Sequence, residues 1–189
     1  MSSIKTNSIL RSFIVIPMIA TSLSLSAFTA SIDQFVVTQS DDQAQQTQKS
    51  AIQLEREENA AKIDTYFANG NMPLEGYGMK MVLEAEKNEL DWRLIPAIAV
   101  RESTGGKYAC KKASFSAFGW GSCKISFKSY DHAIESLASH LSGNNTKTAR
   151  YYANKDVKEI LETYNPPSVV PTYAREVMAV MDKIEEVKL

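Results

Sequence analysis

Residues 91–106, with the sequence DWRLIPAIAVRESTGG, constrain the fold more than any other stretch. Ile95, Ile98 and Ala99 recur at helical spacing and line one face of a short helix. A helix this apolar needs other elements packed around it, so the chain must supply a helical shell. Pro96 is tolerated only in a first turn, which moves the regular start towards Leu94, with Asp91 as a candidate N-cap. Gly105 and Gly106 offer a stop. Glu102 extends the apolar stripe, four residues after Ile98, and such local conflicts concentrate at functional sites. It lies near the negative end of the helix dipole among apolar neighbours, and both effects disfavour the charged form. A carboxyl group that keeps its proton near neutrality is what general-acid catalysis requires. The competing reading is a surface glutamate at a frayed helix end.

The N-terminus speaks to compartment. Lys5 and Arg11 are the only charges before Asp33, and residues 13–28 form an apolar run with interspersed Ser and Thr. The pattern is that of an export segment over residues 1–30, either a cleaved signal or a retained membrane anchor. Residues 31–50 are polar and Gln-rich and are expected to form a disordered linker. The folded domain then spans 51–189. With a formal net charge of −1, nothing in the composition points to nucleic acid, whose binders normally show a basic patch or stripe.

Export bears on the two cysteines. In an oxidising compartment Cys110 and Cys123 are expected to pair, two buried thiols being the alternative. A metal site is not expected, because a set of four ligands at sensible spacing is missing. No cofactor is implied.

The remaining punctuation predicts a mainly α fold. Helices are expected over about 51–68, opened by a Ser50/Gln53 capping box, and over 78–88, 131–141, 147–153 and 156–164. A last helix follows an N-cap at Thr172, with Tyr173, Val177, Val180, Met181 and Ile184 inward. His132 and His140 fall off the apolar stripe of their helix and are expected in solvent. Residues 104–127 have poor helical period, and a loop this long inside a compact domain is usually functional. It holds both cysteines and Phe118-Gly119-Trp120-Gly121, where an aromatic between glycines suits stacking on a ligand. Phe118 reads as a core plug; Trp120 reads equally as plug or as ligand platform. Residues 122–126 could pair briefly as strand.

Three segments, in order, carry a family likeness: residues 97–106 (AIAVRESTGG), then 118–121 (FGWG), then 127–131 (FKSYD). Together they resemble the lysozyme-like bacterial cell-wall glycosidases, and most of all the glucosaminidase (mannosyl-glycoprotein endo-β-N-acetylglucosaminidase-like) domains. The likeness spans roughly residues 60–184. It implies a lysozyme-like α-helical domain with a long active-site loop, acting on the glycan strands of peptidoglycan in the cell envelope. It implies Glu102 as catalytic acid and Tyr164 as the tyrosine opposite it, with Ser103, Phe118, Gly119, Trp120 and Tyr130 around the substrate. Lytic transglycosylases and muramidases share the helix ending in Glu-Ser and remain alternatives, as does a wall-binding module without turnover. The sequence departs from the family pattern in three places. Thr104 intervenes between Ser103 and Gly105, Ser116 stands where asparagine is usual, and no second carboxylate follows at a recognisable family position.

Overall fold

The computed structural model describes residues 29–189, with side chains from residue 45. The expected export segment therefore lies almost wholly outside the described residues. The chain divides into two units, Met1–Gln45 and Gln46–Leu189, and apart from the first part of α1 everything described below lies in the second. Among the described residues the architecture is helical with no strand: α1 (Thr29–Asn69), α2 (Gly78–Lys87), α3 (Leu94–Ser103), α4 (Tyr130–Leu141), α5 (Ala149–Tyr152), α6 (Val157–Tyr164) and α7 (Tyr173–Glu185). The brief strand expected over 122–126 does not form. Among the described residues no helix is long and apolar enough to cross a membrane.

The centre is α3. Leu94, Ile95, Pro96, Ala97, Ile98 and Ala99 are all buried, so the first part of this helix is covered on every side, while Arg101 near its end is exposed. It packs chiefly against α7, and also against α2 and α4. Pro96 is its third residue, where the missing N–H would have had no intrahelical partner. Asp91 is not the N-cap. It accepts hydrogen bonds from the backbone N–H and the guanidinium of Arg93, and Arg93 itself occupies the cap position.

Around α3 the amphipathic helices turn in their stripes much as periodicity requires. Ile134, Leu137, Ala138 and Leu141 of α4, and Tyr173, Val177, Met181 and Ile184 of α7, are buried, while Val180 is half-buried. The start of α6 carries a capping box: Asp156 accepts from the Glu159 N–H, and Glu159 accepts from the Asp156 N–H. The start of α2 is capped from outside. Asp64 of α1 accepts from the N–H groups of Gly76 and Gly78 at 2.9 Å each. Helix α1 approaches so closely there that a Cβ on Gly78 would lie 2.3 Å from the Ala60 carbonyl oxygen.

Three local expectations fail. Residues 31–50 are helical rather than irregular, being part of α1. The scarcity of apolar residues that argues against a packed core does not argue against a helix, because Gln, which recurs through this stretch, is a good helix former. Ser50 consequently lies inside α1, and its hydroxyl donates to the Gln46 carbonyl instead of capping. Thr172 does precede α7, but its hydroxyl donates to the Glu176 carboxylate at 2.6 Å and caps no backbone N–H.

Candidate active site

Helix α3 ends where the chain must reverse. Thr104 takes the left-handed conformation at its C-cap (φ 52°), the role expected of the glycines after it, and Gly105 and Gly106 continue with positive φ. Ser103, 4% exposed, makes the turn rigid. Its hydroxyl donates to the Ala117 carbonyl at 2.6 Å and accepts from the Gly106 N–H at 2.9 Å. Ser103 therefore does not reach a substrate; it ties the end of α3 to the segment that carries Phe118, Gly119 and Trp120.

The loop between α3 and α4, residues 104–129, is folded on itself. Cys110 and Cys123 form the expected disulfide. The Cys110 N–H reaches the Ser116 carbonyl, and the Phe127 N–H reaches the Ser114 carbonyl at 2.9 Å. Ala113, Ala117, Phe118 and Phe127 are the loop's buried anchors. The Phe118 ring is fully buried, so the core reading holds for that side chain and it touches no ligand. Tyr130 is likewise structural. Its ring meets Tyr77 and Phe115 edge-on, with centroids 5.6 and 5.2 Å away, and so pins Phe115 of the loop to the N-terminus of α4.

These ties deliver one arrangement. The half-buried Glu102 carboxyl lies between α7 and the loop. On one side its Oε1 accepts a hydrogen bond from the Tyr173 hydroxyl at 2.6 Å. On the other, its Oε2 presses on Gly119: a Cβ built there would lie 2.2 Å from Oε2 and 2.9 Å from the carboxyl carbon. Gly119 also has φ +65°, so its lack of a side chain is required twice over.

Next to the carboxyl runs an aromatic wall. Tyr164 stacks on Tyr173 with centroids 5.9 Å apart and planes 11° apart. Trp120 leans on Tyr164 at 5.4 Å and stacks on His140 at 4.8 Å and 27°. Tyr164 is close enough to Glu102 to feel its charge, but its hydroxyl donates to the Phe118 carbonyl. Gly119, Trp120, Gly121, Ser122, Tyr152 and Tyr164 line a shallow depression of ≈ 400 Å³; Glu102 is not part of that lining and meets it through Gly119. Trp120 is half-buried, plug and platform at once. His140 is not solvated as expected. It is half-buried under Trp120, its Nδ1 is 3.0 Å from the Thr148 hydroxyl, and burial, followed by the charge of Lys147, pushes its pKa down.

The electrostatics keep the tyrosines neutral. Burial, then the Glu102 charge, then the hydrogen bond to it, push the Tyr173 hydroxyl far above its ordinary value. Burial and the charge of Glu102 do the same for Tyr164, and burial alone pushes Tyr152 up to about 12. The Arg101 guanidinium sits over the Tyr173 ring, 5.6 Å from its centroid, and pairs with Glu176 at 2.6 Å. The carboxylates after Glu102 that could in principle serve as a second catalytic group are engaged elsewhere or exposed. Asp156 and Glu159 form the α6 capping box, Glu135 and Glu162 pair with Lys87 and Lys158, and Asp131 is exposed on the first turn of α4.

Tyr173 is the functional residue that sequence reasoning missed. Periodicity places it inward on α7, but nothing local says that it meets a carboxyl 71 residues earlier. Comparison of the chain with protein-family models, with curated proteins and with solved structures gave no match.

Proposed function

We propose that this protein is an exported glycosidase of lysozyme-like type that cleaves β-1,4 bonds in the glycan backbone of peptidoglycan, with N-acetylglucosaminidase specificity and Glu102 as general acid. One observation carries the reading. A single carboxyl at the end of a buried helix is held between a neutral tyrosine hydroxyl and a glycine Cα, beside a depression with an aromatic wall. Sugar rings present apolar C–H faces that stack on aromatic side chains, and a general acid must lie within hydrogen-bond reach of the leaving oxygen.

The chemistry follows from the two oxygens of Glu102. Oε1 accepts from Tyr173, so in the acid form the transferable proton resides on Oε2, the oxygen at Gly119. Tyr173 itself stays protonated and can only donate, which fixes the carboxyl's orientation without competing for the proton. Glu102 gives this proton to the glycosidic oxygen as the bond from that oxygen to the anomeric carbon breaks, and the leaving sugar departs as an alcohol. The ring of Tyr164 lies nearby and supports the positive charge that develops on the sugar ring that keeps the anomeric carbon. The glutamate left behind takes the proton back from the nucleophile that completes the reaction.

Glycoside cleavage commonly uses two carboxylates, but Glu135, Asp156, Glu159, Glu162 and Glu176 have other partners and Asp131 faces solvent. That distribution favours a nucleophile supplied by the substrate. Attack by the acetamido oxygen of the cleaved residue forms an oxazolinium ring, which water opens as Glu102 takes the water's proton, giving hydrolysis; a sugar hydroxyl attacking internally and losing its proton to Glu102 gives the transglycosylase outcome, which is the second reading. A zymogram of the purified chain and of Glu102→Gln on cell-wall substrate tests the proposal, with mass spectrometry of the released ends. Reducing-end N-acetylglucosamine with the parent and no clearing with the variant is expected. Anhydro-muramic ends move the assignment to transglycosylase, and no clearing by the parent, with wall binding retained by both, moves it to a binding module.

A further inference from the structure

The loop that carries Gly119 is also an isolated block of positive charge. Residues 104–129 contain five lysines (Lys107, Lys111, Lys112, Lys124 and Lys128) and no aspartate or glutamate. The chain has 21 basic residues, so 16 lie outside the loop, against 22 carboxylates, and the rest of the protein is net −6 while the loop is +5. All five lysines are exposed. None of them forms an ion pair among the described residues, whereas Lys62, Lys80, Lys87 and Lys158 all do. The loop is held in shape by the Cys110–Cys123 disulfide and the buried anchors, so the charges are presented on a stiff frame. They also flank the candidate site closely in the chain. The loop starts two residues after Glu102, touches its carboxyl at Gly119, and lines the depression through Ser122, two residues before Lys124.

None of the five lysines lines the depression itself, but unneutralised charge of one sign on the loop that leads to a site raises the local concentration of an oppositely charged ligand and speeds its capture. A neutral glycan would gain nothing from it. Between the lysines the loop exposes Tyr108 (77%), Phe115 and Ile125, so the complementary partner is amphipathic as well as anionic. A short peptide with free carboxylates and aliphatic side chains fits this description better than a bare phosphate polymer does.

We propose that the lysine loop is a substrate-recognition site that binds the carboxylates of the peptide stems on the glycan, so that the enzyme selects peptide-bearing strands over stripped or neutral ones. This rests on the glycan-cleaving reading of Glu102. It makes residues 104–129 bifunctional: one part positions the acid and another holds the stem of the same strand.

The test uses the full chain carrying Glu102→Gln, so that binding is read without turnover. Its binding is measured by co-sedimentation with intact peptide-bearing cell wall, with the same wall stripped of stems by an amidase, and with chitin. The measurement is repeated for a variant with all five lysines changed to Gln and for one with all five changed to Arg. Intact wall should bind at least tenfold more tightly than stripped wall or chitin. The Gln variant should lose that preference, the Arg variant should keep it, and 0.5 M NaCl, where the screening length is only ~4 Å, should abolish it. Equal binding to intact and stripped wall, or a Gln variant that still prefers intact wall, overturns the proposal. So does lysine-dependent binding to phosphatidylglycerol vesicles without preference for stems, which reassigns the loop to a lipid surface. If the active parent chain releases no sugar ends from any wall, the catalytic reading fails while these binding ratios still decide the loop's role.

Discussion

Gly119→Ala tests the geometry where it is tightest. The new methyl group would sit 2.2 Å from Glu102 Oε2, well inside contact distance, at a backbone φ of +65°. The left-handed conformation costs a non-glycine residue about 1 kcal/mol. The carboxyl is the movable partner, so it swings away and breaks the 2.6 Å hydrogen bond from Tyr173, at a cost of roughly 1–3 kcal/mol. The sum is about 2–4 kcal/mol, which at 2–4 °C per kcal/mol for a chain of this size lowers Tm by roughly 5–15 °C. Activity should suffer more than stability, since a shift of about 1 Å in a reacting group costs on the order of 100-fold in rate. Tyr173→Phe provides the comparison, because it removes the hydrogen bond and leaves the space. Thermal melts and a turbidity assay on purified wall, run below the lower Tm, measure both effects. Lysis by Gly119→Ala within threefold of the parent would refute the idea that Gly119 and Glu102 are fitted to one another.

Further outcomes follow from the same contacts. The folded-state pKa values of Tyr152, Tyr164 and Tyr173 all lie above the unfolded value near 10. Their contribution to stability is therefore complete below about pH 10 and drains as pH rises beyond it, by up to about 4 kcal/mol per pH unit for three groups. An ultraviolet titration should show these three of the eight tyrosines ionising only as the chain unfolds, with Tyr66, also raised by burial, lagging the free value; all eight titrating together near pH 10 with the fold intact contradicts this. His140 has its pKa lowered by burial, so the unfolded chain takes up a proton first as pH falls below about 6.5. The urea midpoint should accordingly decline from about pH 6.5 downward and level off once the folded imidazole is protonated, and His140→Gln should flatten that slope. Replacing both Cys110 and Cys123 by Ser should cost about 3 kcal/mol in urea denaturation, if loop closure over 13 residues governs the effect. It should also weaken lysis, because the loop that holds Gly119 loses its tie; an unchanged urea midpoint would count against that tie.

Much of the site can be read from the chain because its signals are local. The all-apolar stretch of α3 demands burial, Glu102 interrupts it, and two cysteines with glycine-flanked Trp120 mark the next loop as ordered rather than as a tether. The capping box at Asp156 and Glu159 is legible for the same reason, since both partners lie within one turn. What escapes is set by contacts distant in sequence. Tyr173 reads as another inward residue of α7, and only packing turns its hydroxyl onto Glu102 rather than into the core. Ser103 stands next to the acid and invites a catalytic role, yet burial commits its hydroxyl to the Ala117 carbonyl. His140 lies off its helix's apolar stripe, and its burial comes from Trp120 of the loop, which no helical period reports. The helical course of residues 31–50 escapes for a different reason. Hydrophobic patterning detects packed helices, and that stretch has almost no pattern to detect.

The account turns on Glu102 delivering a proton, and leaving-group dependence tests this most directly. Rates for the parent and for Glu102→Gln are compared on peptidoglycan and on an aryl glycoside of the same chito-oligosaccharide whose dinitrophenolate leaves without protonation. A general acid is needed only by the first substrate, and its removal typically costs 10²–10⁴-fold there. The variant is therefore predicted to lose wall cleavage by at least that factor while cleaving the aryl glycoside within about tenfold of the parent. Equal loss on both substrates, or undiminished cleavage of the wall, would contradict the assignment of Glu102 as the acid.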